Sequence, residues 1–446
     1  MVGYGDFSGS DPNNSSGTDG FVQLAAPSQG SDAESESTAR DDDMDMEIQR
    51  NRCIPDPNNP RGPCQSCQNK KARLSRLPCL RYKLSDSILF RTGLNYMEFY
   101  KAHPMFGPKY GDFHMEKQWI PGSGKFLCLS QDRGTFLRIE LKQFVPPHDP
   151  TALDLKGRPM YAVNWAIPDP DAATEALNEF IDASLGCYLD AVLDGMDTLV
   201  MDVFHAAIRS SVFPHPNLLL RKTLRLWVVC RFIESRWRCW TDQEDEDITR
   251  DFPGDPFYDW KSPPPYVDYQ FASIIIHRVL LPLREEILRE LEIMVEKHKP
   301  EDWYVTFLAS FILLQNYELQ MQFQRDFAKR RQASVRYLDM PLVRATNSGA
   351  KTILAHFHYC CKGNQPFGER FDWSAAKMRK MARLDAEQSR FMASYRDRVI
   401  AKAEAFSQIN HSHEYDTMYW YTSQLFDPDW KPRDTLEHAP AVEWSN

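Results

Sequence analysis

Apolar residues recur along most of this chain at the spacing of helices. Beyond Asp169-Pro170-Asp171, Leu177, Phe180, Ile181, Leu185, Tyr188, Leu189, Val192 and Met196 fall at steps of three and four, which places them on one helical face. The pattern predicts one amphipathic helix over residues 172–211, or a pair broken near Gly186 or Gly195. Similar stretches run over 217–240, 271–299, 303–331, 348–362 and 374–409. Loops separate them, the clearest being 241–267 with its acidic run and Pro263-Pro264-Pro265. Pro282 is expected to kink the third stretch or bound it, because proline has no amide hydrogen to donate. No comparable run of alternating positions accompanies these stretches. The fold class is therefore mainly α, with a large all-α body over 171–430 and a tail at 431–446.

Upstream the pattern loosens. Phe136-Leu137-Arg138-Ile139-Glu140-Leu141 alternates as a strand does, but Gly and Pro interrupt its surroundings. Residues 84–170 read as an irregular linker region with a strand or two and no extended sheet. The longest apolar run, from Trp303, stops after twelve residues at Gln315-Asn316. A bilayer needs about 20, so no membrane span is predicted. The first residues, MVGYGDFSGSDPNN, have neither the basic and apolar regions of a secretory signal nor the arginine-rich character of a transit peptide, which points to the cytosol or nucleus.

Charge divides the chain further. The net charge of −9 is matched by residues 1–50 alone, where eleven acids stand against Arg40 and Arg50, and the remainder is balanced. A Gly/Ser/Asp/Asn-rich acidic leader over 1–42 has too little apolar surface to offset chain entropy and is expected to be a disordered tail. It reads as a solvated tail or as an acidic interaction arm. From Arg52 to Lys83 the sign reverses, with eight bases and the single acid Asp56. Four of the chain's ten cysteines lie in this window, spaced Cys53-x10-Cys64-x2-Cys67-x11-Cys79. Thiolates can fix a small fold that lacks a core, while Lys and Arg neutralise phosphates.

With those residues in view, the window resembles the fungal binuclear zinc cluster regulators, the Zn2Cys6 family. Arg50-Asn51-Arg52-Cys53, the Pro-containing loop 55–63, Cys64-Gln65-Ser66-Cys67 and Leu77-Pro78-Cys79 match that family's third to sixth cysteines. Leu80-Arg81-Tyr82-Lys83-Leu84-Ser85-Asp86 is similar to the segment that follows the cluster in a filamentous-fungal subgroup. The resemblance implies a zinc-dependent DNA reader followed by a helical regulatory region. Counting back by the family spacing, however, places the first two ligands at Met46 and Asp43. A two-zinc cluster lacks its ligands here, and the resemblance leaves Cys53, Cys64, Cys67 and Cys79 as a set for one zinc, with 43–83 a degenerate module. The family's groove-reading helix would occupy 47–52, behind Asp41, Asp42, Asp43 and Asp45. Arg50, Arg52, Lys70, Lys71, Arg73 and Arg76 remain as the candidate DNA contacts, the last four toward the phosphate backbone, which positions a protein without specifying sequence. Three readings stay open: a one-zinc or partly folded module, a regulator whose first exon is missing or substituted in this sequence, and a basic loop with incidental thiols.

Other motifs offer little chemistry. His356-Phe357-His358-Tyr359-Cys360-Cys361 places His356 and Cys360 on one helical face, yet core packing explains them better than a soft-metal site. His411-Ser412-His413-Glu414 fits imidazoles meeting carbonyls at a helix end. Gly122-Ser123-Gly124-Lys125 lacks a Walker pattern, since Trp119 and Phe126 stand where Gly and Ser/Thr are needed, and it reads as a turn. No enzyme is indicated. The sequence supports a nuclear transcription regulator that meets DNA and protein partners of a transcription complex. The alternative is a helical scaffold that has lost sequence-specific DNA binding.

Overall fold

The computed structural model describes residues 82–91, 117–145, 165–212, 216–241 and 263–431, apart from single positions at 134, 298, 331, 362 and 413. All of these fall within one unit, Cys53–Asn446. The leader 1–42, the cysteine window up to residue 81, the acidic run of the 241–267 loop and the tail beyond 431 lie outside the described residues.

The helical body is mainly α, as the periodicity predicts. α1 (Pro170–Leu193) opens on Asp169, whose carboxylate accepts from the amides of Asp171 and Ala172 at 2.9 and 3.0 Å, with Pro170 in the first turn. Gly186 passes inside α1, whereas Gly195, at φ +79°, supplies the left-handed turn that ends it. α2 (Thr198–Val212) follows, then α3 (Leu218–Glu234), whose first turn is capped by Asn217 accepting from the Leu220 amide at 3.0 Å. α4 (Pro265–Ile274) continues through a π-helical turn, Ile275–Leu280, into α5 (Leu281–Lys297). This widened turn stands where a kink at Pro282 is expected. The missing amide hydrogen and the crowding of the preceding turn are absorbed by looser winding without ending the helical path.

α6 (Trp303–Arg330) is the central element, in contact with α2, α3, α5 and α7 (Met340–Cys360). Its apolar run from Trp303 to Leu314 is buried almost throughout, which is why it carries no clean amphipathic stripe. No described helix is long and apolar enough to cross a membrane. The stretch expected at 374–409 divides into α8 (Ala376–Ala382), α9 (Ala386–Ala401) and α10 (Ala403–Ser412). Arg383 takes φ +49° between the first two, and Asp385 forms a reciprocal cap with Gln388 at the start of α9. A 3-10 turn, Thr422–Leu425, closes the described chain against α6 and α7.

Within 84–170 the described residues include strands as well as irregular segments. β1 (Lys125–Ser130), β2 (Leu137–Gln143) and β3 (Trp165–Ala166) join β4 (Arg238–Thr241) in an antiparallel sheet of order β3-β2-β1-β4. Leu137, Ile139 and Leu141 point inward from β2 while Arg138 and Glu140 face solvent, and the inner face packs on α1. β4 arises inside the stretch 217–240 that reads as helix: at Ser235 the backbone turns extended (φ −103°, ψ 151°) and Cys239 pairs with Leu129. Sheet pairing over a distance of a hundred residues overrides the local period there.

Candidate functional site

Directly behind the cysteine window, the chain lies down in a groove of the helical body. This strap comprises the 3-10 turn Leu84–Asp86 and the extended residues up to Arg91, with Leu84, Leu89 and Phe90 buried. Its apolar side chains supply the burial, and its main-chain groups are met by side chains from two helices, α5 and α6. Glu292 of α5 accepts from the Leu84 amide at 3.3 Å, and Arg284 donates to the Ser85 carbonyl at 3.1 Å. From α6, Tyr317 donates its hydroxyl to the Ile88 carbonyl at 2.8 Å and Asn316 donates to the Leu89 carbonyl at 2.7 Å. Arg91 donates to the Ile233 carbonyl at the end of α3. The bonds from α5 and α6 satisfy backbone groups of a segment whose only regular structure is the single turn Leu84–Asp86.

The strap can approach only because Gly349 of α7 has no side chain. A Cβ there would stand 2.2 Å from the Tyr317 hydroxyl and 3.3 Å from the Ile88 carbonyl. Asn316 is itself held on its other side by Arg231 at 2.8 Å, and Arg231 pairs with Glu234 at 2.6 Å. Burial raises the Glu234 carboxyl above its ordinary value, although the adjacent Arg231 pulls it down.

The next residue of α6 grips a different part of the chain. Glu318 accepts at one oxygen from the Tyr421 amide at 3.0 Å, the Thr422 amide at 2.8 Å and the Thr422 hydroxyl at 2.8 Å. Among the described residues no cation donates to this oxygen, and burial pushes the carboxyl up to about 7. Asp416, equally buried, is instead met by Arg336 at 2.6 Å, Arg325 at 3.2 Å and the Tyr337 hydroxyl at 2.8 Å.

Beyond the Thr422–Leu425 turn a cavity of about 470 Å³ opens between the loop after α7, the α9–α10 junction and residues 423–430. His358 forms part of its wall, stacked on Trp430 with centroids 5.0 Å apart and bonded through Nε2 to the Gln424 carbonyl at 2.9 Å. Burial lowers its pKa, against the opposing pull of the Gln424 carbonyl and the Asp427 carboxylate.

The sequence motifs can now be placed. Cys53, Cys64, Cys67, Cys79, Arg50, Arg52, Lys70, Lys71, Arg73 and Arg76 all lie outside the described residues. His356 is a core residue: Nδ1 meets the Thr352 carbonyl at 2.8 Å, and burial pushes its pKa down to about 4. The same burial pushes the Cys361 thiol up to about 12, far from the thiolate a metal needs. Among the described residues no three His, Cys, Asp or Glu converge as a metal site. His411 turns Nδ1 to the Ser407 carbonyl at 2.6 Å near the end of α10, as its position suggests. Gly122-Ser123 forms a turn, with Gly122 at φ +71°. Asn316, Tyr317, Glu318 and Gly349 escape sequence reasoning; the signal that could have found them is the polar interruption that ends the apolar run of α6.

A single helical core that clamps the chain immediately behind a basic, cysteine-bearing segment has the layout of a transcription regulator. The particular family is shown by comparison: residues 143–425 match the KpeA transcription factor family, and the chain belongs to it. It is also similar, at 21% identity over 327 residues, to the satratoxin biosynthesis SC3 cluster transcription factor SAT20 of Stachybotrys chartarum. That match takes in 70% of this chain and 45% of the relative, so the chain spans less than half the relative's length. No solved structure matches the chain. The matched region contains β3, β4 and the helical body; the cysteine window, the strap, β1 and nearly all of β2 precede it.

Proposed function

We propose that this fungal transcription factor acts in the nucleus through a reduced zinc-cluster module at 43–83, which meets DNA, while the helical body regulates it. The observation that carries this reading is the sequence of parts: a basic window with four cysteines, a strap anchored in the body, and a body matched by a transcription factor family. The donor chemistry fits the metal, since four thiolates including a Cys-x2-Cys step suit tetrahedral zinc. Cys53, Cys64, Cys67 and Cys79 would hold one ion, which would supply the fixed fold that a coreless segment lacks. Lys70, Lys71, Arg73 and Arg76 would then meet phosphates. Asp43 and Met46, at the places of the first two ligands, favour weak or non-specific binding.

The test is zinc content of the full-length protein, with titration of a CGG-containing duplex and a scrambled duplex at several salt concentrations. One zinc per chain, lost on changing Cys64 and Cys67 to serine, and a log affinity that falls with log salt at roughly 0.9 per phosphate contact are expected. Absence of zinc together with salt-independent or undetectable binding would favour the scaffold reading; two zincs would contradict the ligand count.

A further inference from the structure

The cavity beyond the Thr422–Leu425 turn has the build of a ligand site, and no strap residue lines it. Its volume of about 470 Å³ falls within the range of small-molecule pockets, about 300–1,000 Å³. The floor is apolar and aromatic: Phe367, Phe406 and Val399 are buried there, and Phe426 stacks on Phe406 with centroids 5.6 Å apart and on Phe367 edge to face at 4.8 Å. One polar pair interrupts that floor. Asn410, buried, accepts from the Ser423 hydroxyl at 3.0 Å. The rim carries the carboxamides Asn364 and Gln365 and the hydroxyl of Ser407, all exposed. A flat apolar floor with a few hydrogen-bonding groups orients a ring that bears polar substituents.

Charge narrows the class. The described lining residues include the carboxylates Glu369 and Asp427 and the imidazoles His358 and His411. Burial lowers the pKa of His358, which disfavours its cationic form. The two carboxylates work against an anion. We propose that this cavity binds an uncharged, one- or two-ring aromatic small molecule with hydrogen-bonding substituents, lying on the Phe406–Phe426 floor. The proposal does not depend on zinc or on DNA binding. The Thr422–Leu425 turn, which Glu318 ties to α6 two residues from Asn316, contributes Ser423 and Leu425 to one wall.

The test uses the full-length protein and two probes of identical skeleton, 6-hydroxy-2-naphthamide and 6-hydroxy-2-naphthoate, followed by isothermal titration and saturation-transfer NMR. The amide is expected to saturate one site at or below ~1 mM, and the carboxylate to bind at least ~10-fold more weakly. Ser407→Trp and Ala403→Trp, both at exposed lining positions, place an indole across the mouth and should abolish amide binding while leaving the far-UV spectrum and thermal midpoint near those of the wild type. If one of the two fails to fold, the other carries the comparison. Equal or tighter binding of the carboxylate overturns the charge class; amide binding unchanged in a folded tryptophan variant overturns the site. Absence of amide binding at ~1 mM overturns the proposal as a whole.

Discussion

Two segments far apart in the chain are held by neighbouring residues of α6, and they are held by different chemistry. On one side Asn316 and Tyr317 bond the strap carbonyls of Leu89 and Ile88 with neutral donors, and each acceptor receives one short hydrogen bond. On the other side Glu318 gathers three neutral donors from Tyr421 and Thr422 onto a buried carboxylate. The strap contact exchanges one neutral bond for another and is insensitive to protonation. The contact at Glu318 asks a carboxylate to stay ionised away from water, which burial opposes. The same helical turn therefore anchors the segment behind the cysteine window in a pH-independent way and the wall of the cavity in a pH-dependent one.

The comparison breaks most severely at Gly349. Gly349→Val should cost about 3 kcal/mol through overpacking, against which the gain in helix propensity is only about 0.5 kcal/mol. Limited proteolysis should then cut residues 84–91 faster while helix content is kept; unchanged protection would mean that the strap is not seated as described.

The second prediction separates the two sides by pH. Because the Glu318 carboxyl is raised from its ordinary 4.5 to about 7, the folded protein keeps a proton that the unfolded chain has released across that interval. Its contribution to stability is fully present below about 4.5 and is lost as pH rises through about 7, a change of about 3 kcal/mol. Glu318→Gln should remove that component: chemical denaturation should show a variant about 2–3 kcal/mol better relative to wild type at pH 8 than at pH 5. A difference that does not vary with pH would place the proton elsewhere. The smallest effect belongs to the strap side. Tyr317→Phe deletes one hydroxyl and leaves the Ile88 carbonyl without its donor, costing about 1 kcal/mol at either pH.

How much of this was legible beforehand depends on distance in sequence. The α1 boundary was readable because Asp169-Pro170 and Gly195 act locally, through a cap and a left-handed turn. The body's helical class was readable for the same reason. β4 was hidden because Arg238–Thr241 continues an apolar period and becomes a strand only by pairing with β1 more than a hundred residues earlier. Pro282 is expected to kink or bound the stretch, and the structure places a π-helical turn, Ile275–Leu280, just before it. The strap was missed for a third reason: Leu84 to Arg91 has no period of its own, and the side chains that hold its backbone are single residues spread from Arg284 to Tyr317. The candidate ligands Cys53, Cys64, Cys67 and Cys79 are an expectation from spacing and family resemblance, and they lie outside the described residues.

Gly349 also offers a way of recognising this architecture in sequences for which only letters are known. A glycine in the middle of a 21-residue helix is a standing cost of about 1 kcal/mol, and here it is tolerated because Tyr317 and the Ile88 carbonyl occupy the space its side chain would take. A relative that keeps Asn-Tyr-Glu late in its long apolar helix, and glycine one helix later, has kept room for a strap. One that pairs the same tyrosine with a bulky residue at that glycine must route the chain leaving its N-terminal module some other way.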